Sequence, residues 1–238
     1  EISTKFTPQI AEIYENSVEK MALASMERMG LDYIDIYWIH NPINAPEYTK
    51  QLSPILKAGI VKSVGVSNHN LAQIKEADAI LRGEGFRLSA VQNHFSLINR
   101  SSVDSGILDW CRKNGVDFYG YMTLEQGALT AKYDASHPFP EGSARAKVFN
   151  PLLGKLEVVN AELKAVAEAH NATPAQIATA YTLAKGAIPI LGVTKLYQVD
   201  EAENTARIAL PAEEVAKLEE AADKSGVTSV QFWESKME

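Results

Sequence analysis

The stretch "YIDIYWIHNP", Tyr33 to Pro42, sets an apolar, β-branched and aromatic run against an abrupt polar end at His40 and a stop at Asn41-Pro42. Its length and residue types suit a pleated, buried surface, so it reads as a strand rather than a helix. Alternation puts Ile34, Ile36 and Trp38 on the same side as His40. If that side faces the inside of a closed sheet, the imidazole emerges at the C-terminal rim of the strand. The stretch thus predicts a fold whose strand ends carry chemistry.

Outward from it, short apolar runs alternate with amphipathic ones along the whole chain. "EISTKF" at 1–6, "VKSVGVS" at 61–67, "LSAVQNHF" at 88–95, "VDFYGYMT" at 116–123 and "IPILGVT" at 188–194 read as further strands. A helix is expected to open at Thr7-Pro8, with Ile10, Ile13, Tyr14, Met21 and Ala24 on one stripe and Gly30 at its end. Others are predicted through Leu52, Ile55 and Leu56, through Leu71, Ile74, Ala77 and Leu81, and over 103–114, 152–170, 174–185, 197–206 and 213–224. Six strands, each followed by a helix and none joined to the next by a hairpin turn, imply parallel pairing, because only parallel strands need such crossovers. A doubly wound sheet and a (β/α)8 barrel both satisfy this α/β pattern. No G-x-G-x-x-G turn follows a strand, which removes support for the dinucleotide form of the open sheet. Polar residues gather at the strand C-termini, where barrel enzymes build their sites: Lys5, His40, Ser67-Asn68, Gln92-Asn93, Tyr121 and Thr194-Lys195.

Composition narrows the classes. With 238 residues, 46% of them hydrophobic, the chain has material for one large core, and a single domain over 1–238 is expected. The net charge of -7, with no block of basic residues, argues against a nucleic-acid partner. No apolar stretch has the length of a membrane span and "EISTKF" is no signal peptide, so a cytoplasmic protein without a membrane partner is expected. The single cysteine, Cys111, reads as a buried, inert thiol. No pair of His, Cys, Asp or Glu shows a metal-ligand spacing, and there is no G-x-S-x-G elbow, which disfavours metal and serine-hydrolase chemistry.

Taken singly, the polar strand ends have ordinary explanations. Lys5 could guard a sheet edge, His40 could bond a backbone carbonyl, and Ser67-Asn68 could make a turn. Gln92 is harder to dismiss, since a buried amide must find partners. Their convergence on one face is what a ligand site requires. The long connection 124–151 carries Gly, Ser, Arg and Lys that could fold over a phosphate-bearing ligand, or it could be a variable surface loop.

These motifs resemble those of the aldo-keto reductases, NAD(P)H-dependent carbonyl reductases built on a (β/α)8 barrel. "ISTKF" is similar to the strand bearing the family's catalytic lysine, here Lys5, and "GLDYIDIYWIHNP" to the segment bearing its catalytic histidine, here His40. "VKSVGVSN" resembles the strand whose Ser67 and Asn68 hold the nicotinamide carboxamide, and "AVQNHFSLINR" the strand contributing Gln92 to the same group. "YGYMTLEQGALTAKY" looks like the family's Y-S-P-L-G-x-G-x-L-T-G-K-Y. The resemblance implies that Tyr121 stacks on the nicotinamide while Met122, Thr123, Leu124, Gln126 and Gly127 run along the pyrophosphate. Met122-Thr123 replace the usual Ser-Pro, and Glu125 the usual Gly. "PILGVTKLYQVDEAEN" is similar to the unit gripping the adenosine 2'-phosphate, which puts Gly192, Val193, Thr194, Lys195, Gln198 and Glu201 at cofactor positions, with Ala202 where an asparagine is usual. Lys195 favours NADPH over NADH as a point charge for that phosphate.

The resemblance implies reduction of a small-molecule aldehyde or ketone to an alcohol, with hydride from the cofactor and a proton from a tyrosine assisted by Lys5, while His40 orients the substrate oxygen. The family's tyrosine and its aspartate belong upstream of residue 1. Six of the eight βα units are accounted for, so an N-terminally incomplete barrel is expected, lacking normal activity if these residues are the whole protein. A catalytically weak NADPH-binding regulatory protein of the same superfamily is the alternative. Trp38 and the tail residues Phe232 and Trp233 suggest an apolar-lined substrate pocket.

Overall fold

The computed structural model describes residues 1–11, 17–230 and 237. Ile13, Tyr14, Phe232 and Trp233 lie outside the described residues. Six strands, β1 (Ser3–Phe6), β2 (Ile34–Ile39), β3 (Val61–Ser67), β4 (Ala90–His94), β5 (Asp117–Tyr121) and β6 (Ile188–Pro189), stand in the sheet order β1-β2-β3-β4-β5-β6. Each is followed by helix, so the α/β architecture read from the sequence is the one observed. Among the described residues no helix is long and apolar enough to cross a membrane. The chain divides into two compact units.

The first unit comprises the described residues of 1–93 and 102–118, with Met237. Its four strands pair in parallel, in a register that sets Lys5 opposite Trp38, Trp38 opposite Gly65 and Gly65 opposite Ala90. The core is built from strand residues such as Phe6, Ile34, Tyr37, Val64, Val66 and Val91, all fully buried. β-branched and aromatic residues suit such a pleated interior. Around the strands lie α1 (Ser17–Met29), α2 (Ala45–Lys50), α3 (Leu52–Lys57), α4 (Leu71–Gly83), α5 (Ser101–Asp104) and α6 (Ile107–Asn114). A capping box starts α4: the Asn70 side chain accepts from the Gln73 N–H at 2.9 Å, and the Gln73 side chain accepts from the Asn70 N–H at 2.9 Å. Ile74, Ala77 and Leu81 are buried on it as their spacing predicts, with Leu71 half-buried at the entry. Cys111 is buried, and its thiol is pushed up to about 12, first by burial and then by Asp117, so it is not a nucleophile.

Two helix expectations are corrected here. Thr7-Pro8 opens a 3-10 turn, Pro8–Ile10, in which Ile10 is 76% exposed. The buried face of α1 is instead Val18, Ala22 and Ser25. The helix expected over 103–114 breaks at Gly106, whose φ of 78° lies in the left-handed region that a helix interior does not use.

The second unit comprises the described residues of 94–101 and 119–232. β5 and β6 are parallel, with Tyr119 opposite Ile188 and Gly120 opposite Pro189. The strand expected over 188–194 is shortened to its first two residues, after which the Ile190 N–H still donates to the Gly120 carbonyl at 2.8 Å. The helices are α7 (Ala144–Phe149), α8 (Leu153–Ala169), α9 (Pro174–Ala184), α10 (Leu196–Thr205) and α11 (Ala212–Ser225), and α8 packs on both α9 and α11. Thr173 and Gln176 cap α9 reciprocally, with Pro174 at its first position. The 124–151 connection holds more structure than a loop. It contains tight turns over Glu125–Thr130, kinked at Gln126 and Gly127, then α7 capped by the Ser143 hydroxyl.

Candidate functional site

Each unit gathers part of the predicted residue set. In the first unit, Lys5 projects from β1 with its Nζ 5.9 Å from the centroid of the buried Trp38 ring. Burial lowers its pKa from the ordinary ammonium value. His40 follows β2, and its N–H donates to the Phe6 carbonyl at 2.9 Å. Its Nδ1 lies 3.3 Å from the Thr7 hydroxyl. Burial, and then the positive charge of Lys5, hold His40 below the usual imidazole pKa, so at neutral pH the ring is uncharged and presents one N–H and one lone pair.

Ser67 and Asn68 close β3, both buried. Asn68 sits at φ 62°, a left-handed position that asparagine tolerates better than most residues and that turns the chain sharply out of the strand. Its Nδ2 donates to the His40 carbonyl at 2.9 Å and to the Ser67 hydroxyl at 3.3 Å, while its backbone N–H donates to the Gln92 carbonyl at 3.0 Å. Ser67 is opposite Gln92 in the β3–β4 register. Asn68 therefore ties the strand ends at His40, Ser67 and Gln92 together, and the Lys5 charge acts on His40 from the neighbouring strand.

His69 is not among the residues that the sequence singles out. It is fully buried, donates Nδ1–H to the Ser67 carbonyl at 2.7 Å, and its own carbonyl accepts from Asn93 Nδ2 at 2.9 Å. The pattern of strand-terminal Ser-Asn followed by His offered a signal only in retrospect, since a single histidine at a strand end is common.

In the second unit, Tyr121 ends β5, and its carbonyl accepts from the Phe95 N–H at 3.1 Å. Four residues just beyond it, Met122, Glu125, Gln126 and Gly127, have φ of 61°, 47°, 53° and 107°. They make a run of tight turns, in which the Glu125 N–H donates to the Met122 carbonyl at 2.7 Å and the Gly127 N–H to the Leu124 carbonyl at 2.8 Å. This run borders a cavity of about 470 Å³ whose wall includes Met122, Thr123, Leu124, Gln126, Gly127, Gly192 and Gln198. An adjoining cavity is lined by Gly192, Val193, Gln198, Glu201 and Ala202, with Leu191 and Tyr197 supplying apolar surface. Thr194 and Lys195 lead into α10, where the Gln198 side-chain oxygen accepts from the N–H groups of Thr194 at 2.7 Å and Lys195 at 2.9 Å. The Gln198 oxygen therefore serves first as a helix cap.

Lys132, Tyr133 and Arg145 also face the larger cavity. The sequence reading flagged the loop's Lys and Arg without choosing among them. The choice is made by α7, which places Arg145 with its Nη1 3.4 Å from the Gln126 carbonyl and its guanidinium 5.4 Å from the Phe139 ring centroid.

A family profile described as "Aldo/keto reductase family" matches residues 1–223. An aldo-keto reductase of Schizosaccharomyces pombe whose name carries NADP(+) is 30% identical over 97% of this chain and 72% of its own length. An aldo-keto reductase of Strobilurus tenacellus is 30% identical over 95% of this chain and 69% of its own length. The chloroplastic pyridoxal reductase of Arabidopsis thaliana is 27% identical, with this chain spanning 64% of it. Among solved structures, the glycerol dehydrogenase of Gluconobacter oxydans superposes with a TM-score of 0.79 at 22% identity, over 91% of this chain and 66% of that one. A thermostable aldo-keto reductase in complex with epalrestat superposes at 0.75 with 23% identity, over 92% and 70%. These two show the shared fold.

Proposed function

The chain belongs to the aldo-keto reductase family, and from that premise we propose that it binds NADPH and reduces an aldehyde or ketone to an alcohol. The observation that carries the reading is the larger cavity of the second unit, whose wall joins Met122, Gln126 and Gly127 to the cationic Lys132 and Arg145. Fixed positive charge on the wall of a cavity is what a pyrophosphate needs, so the residues present fit the dinucleotide. Lys195 and Glu201 would serve the adenosine end, where Tyr197 and Leu191 offer apolar surface for a base. When bound, the nicotinamide supplies the hydride.

The described residues would do part of the rest. Ser67, Asn68 and Gln92 offer polar side chains for a carboxamide, held by the hydrogen bonds that join their strand ends. His40, uncharged because of burial and Lys5, directs a ring N–H to a substrate oxygen without burying a second cation. Lys5, its charged form disfavoured by burial, would assist the family's tyrosine as that residue gives its proton to the developing alkoxide.

Titration followed by NADPH fluorescence tests binding, and absorbance with a panel of aldehydes tests turnover. Lys195→Ala is expected to weaken NADPH by roughly 10- to 100-fold and to leave NADH little changed, because a lost charge-assisted bond to phosphate is worth roughly 1.5–3 kcal/mol. Equal weakening of both cofactors would remove Lys195 from the 2'-phosphate. Binding without consumption of any carbonyl would support a regulatory, cofactor-sensing protein instead.

A further inference from the structure

Glu125 departs from the glycine that the family pattern leads one to expect, and it does so at a backbone position that favours glycine, φ 47°. Its side chain is fully buried. It is therefore held there by something that outweighs the conformational cost. Oε1 accepts from His94 Nε2 at 2.8 Å and from the Ser96 hydroxyl, whereas Oε2 has no hydrogen-bond partner.

Asn99 settles the protonation of the histidine. Asn99 Nδ2 donates to the Ser229 carbonyl at 2.6 Å and to His94 Nδ1 at 2.9 Å. An amide nitrogen has two hydrogens, and these two contacts use both, so His94 Nδ1 must accept. The imidazole is then neutral, with its one proton on Nε2 and aimed at Glu125. The contact is a hydrogen bond and not an ion pair. The same ring stacks on Tyr121, with centroids 5.5 Å apart and planes 23° apart. His94 thus holds the stretch 121–127 at its first residue by stacking and at its fifth by a hydrogen bond.

We infer that Glu125 is a positioning residue: as the shared acceptor of His94 and Ser96, it holds the run of tight turns Met122–Gly127 in the conformation that borders the cavity. It acts as a hydrogen-bond acceptor and not as a charge. Its consequence for cofactor affinity rests on the proposed NADPH reading of that cavity.

Three variants separate the acceptor from backbone geometry and from charge. Glu125→Gln keeps an oxygen for both donors and puts its amide where Oε2 had no partner, so NADPH should bind within about twofold of wild type. Glu125→Gly relieves the left-handed φ but removes the acceptor, and should weaken NADPH by about tenfold. Ser96→Ala, which spares the backbone of 122–127 and serves if the glycine variant folds poorly, should weaken it by about threefold. Amide hydrogen exchange at 122–127 in the ligand-free protein should quicken in Glu125→Gly and Ser96→Ala and stay unchanged in Glu125→Gln. A glycine variant matching wild type in both exchange and affinity overturns the inference, as does a glutamine variant as impaired as glycine. Failure of wild type itself to bind NADPH defeats the proposed function, while the exchange rates still decide whether Glu125 anchors the run.

Discussion

Gly65→Ala is expected to destabilise the protein by about 3 kcal/mol and to lower its melting temperature by roughly 10 °C. A Cβ at residue 65 would stand 2.3 Å from Cε3 and 2.4 Å from Cζ3 of Trp38, and 2.9 Å from the Ala90 carbonyl oxygen. None of these atoms can retreat cheaply. Trp38 is 1% exposed, and it is fixed in register between Lys5 of β1 and Gly65 of β3. The Ala90 oxygen belongs to the next strand. The consequence reaches the proposed site, because the ring that would be displaced lies under the Lys5 ammonium, and β3 ends two residues later at Ser67. The clash also predicts strong non-additivity. In a Trp38→Leu background, which is itself destabilised, adding Gly65→Ala should cost about 1 kcal/mol or less, since the six-membered ring is gone. Calorimetric unfolding of the four proteins measures both terms. A single Gly65→Ala variant melting within about 2 °C of wild type would show that the strands separate to admit the methyl group, and the account of Trp38 packing would fail.

The strand–helix alternation was legible because it depends on local period and residue type, and these are written along the chain. The run 33–42 became β2 with His40 just beyond it, and Ser67-Asn68 became a strand end and a left-handed turn. Where the reading erred, a backbone conformation overrode periodicity. Gly106 interrupts an amphipathic pattern that continues on either side of it, and Pro8 starts a 3-10 turn that spacing alone does not distinguish from an α-helix. The connection 124–151 read as loop because its short helices lack apolar periodicity and are held by caps such as Ser143. Which of the loop's basic residues face the cavity was not readable, and neither were the partners that join Glu125 to His94 and Asn99. Their meaning lies in contacts with segments far away in sequence, as when Asn99 meets Ser229, and no local pattern encodes such pairs.

His69 gives the second large effect, a loss of stability in mild acid. Burial holds its imidazole pKa down to about 4, against a weaker opposing pull from the hydrogen bond to the Ser67 carbonyl. Its Nε2 has no hydrogen-bond partner, so a second proton there would be a buried and unanswered charge. The unfolded chain takes up that proton near pH 6.5 and the native chain only near pH 4. Between these values the unfolded state binds more protons, so stability falls as pH falls; above about pH 6.5 the group contributes no pH dependence. The full window amounts to about 3 kcal/mol, of which about 2 kcal/mol is lost between pH 7 and pH 5. Carboxylates add their own losses at the acid end, so the informative quantity is a difference between proteins. His69→Gln removes the titration while its amide can still donate to the Ser67 carbonyl, and its denaturant-derived stability should fall less steeply from pH 7 to pH 5, by about one proton at mid-window. Because His69 directly follows Asn68, acid should also loosen the strand ends that Asn68 joins, and exchange at Ser67 and Asn68 should rise with it in the wild type alone. Parallel pH slopes for the two proteins would mean that His69 is protonated in the native state, and the buried neutral imidazole beneath the Ser67-Asn68 turn would have to be given up.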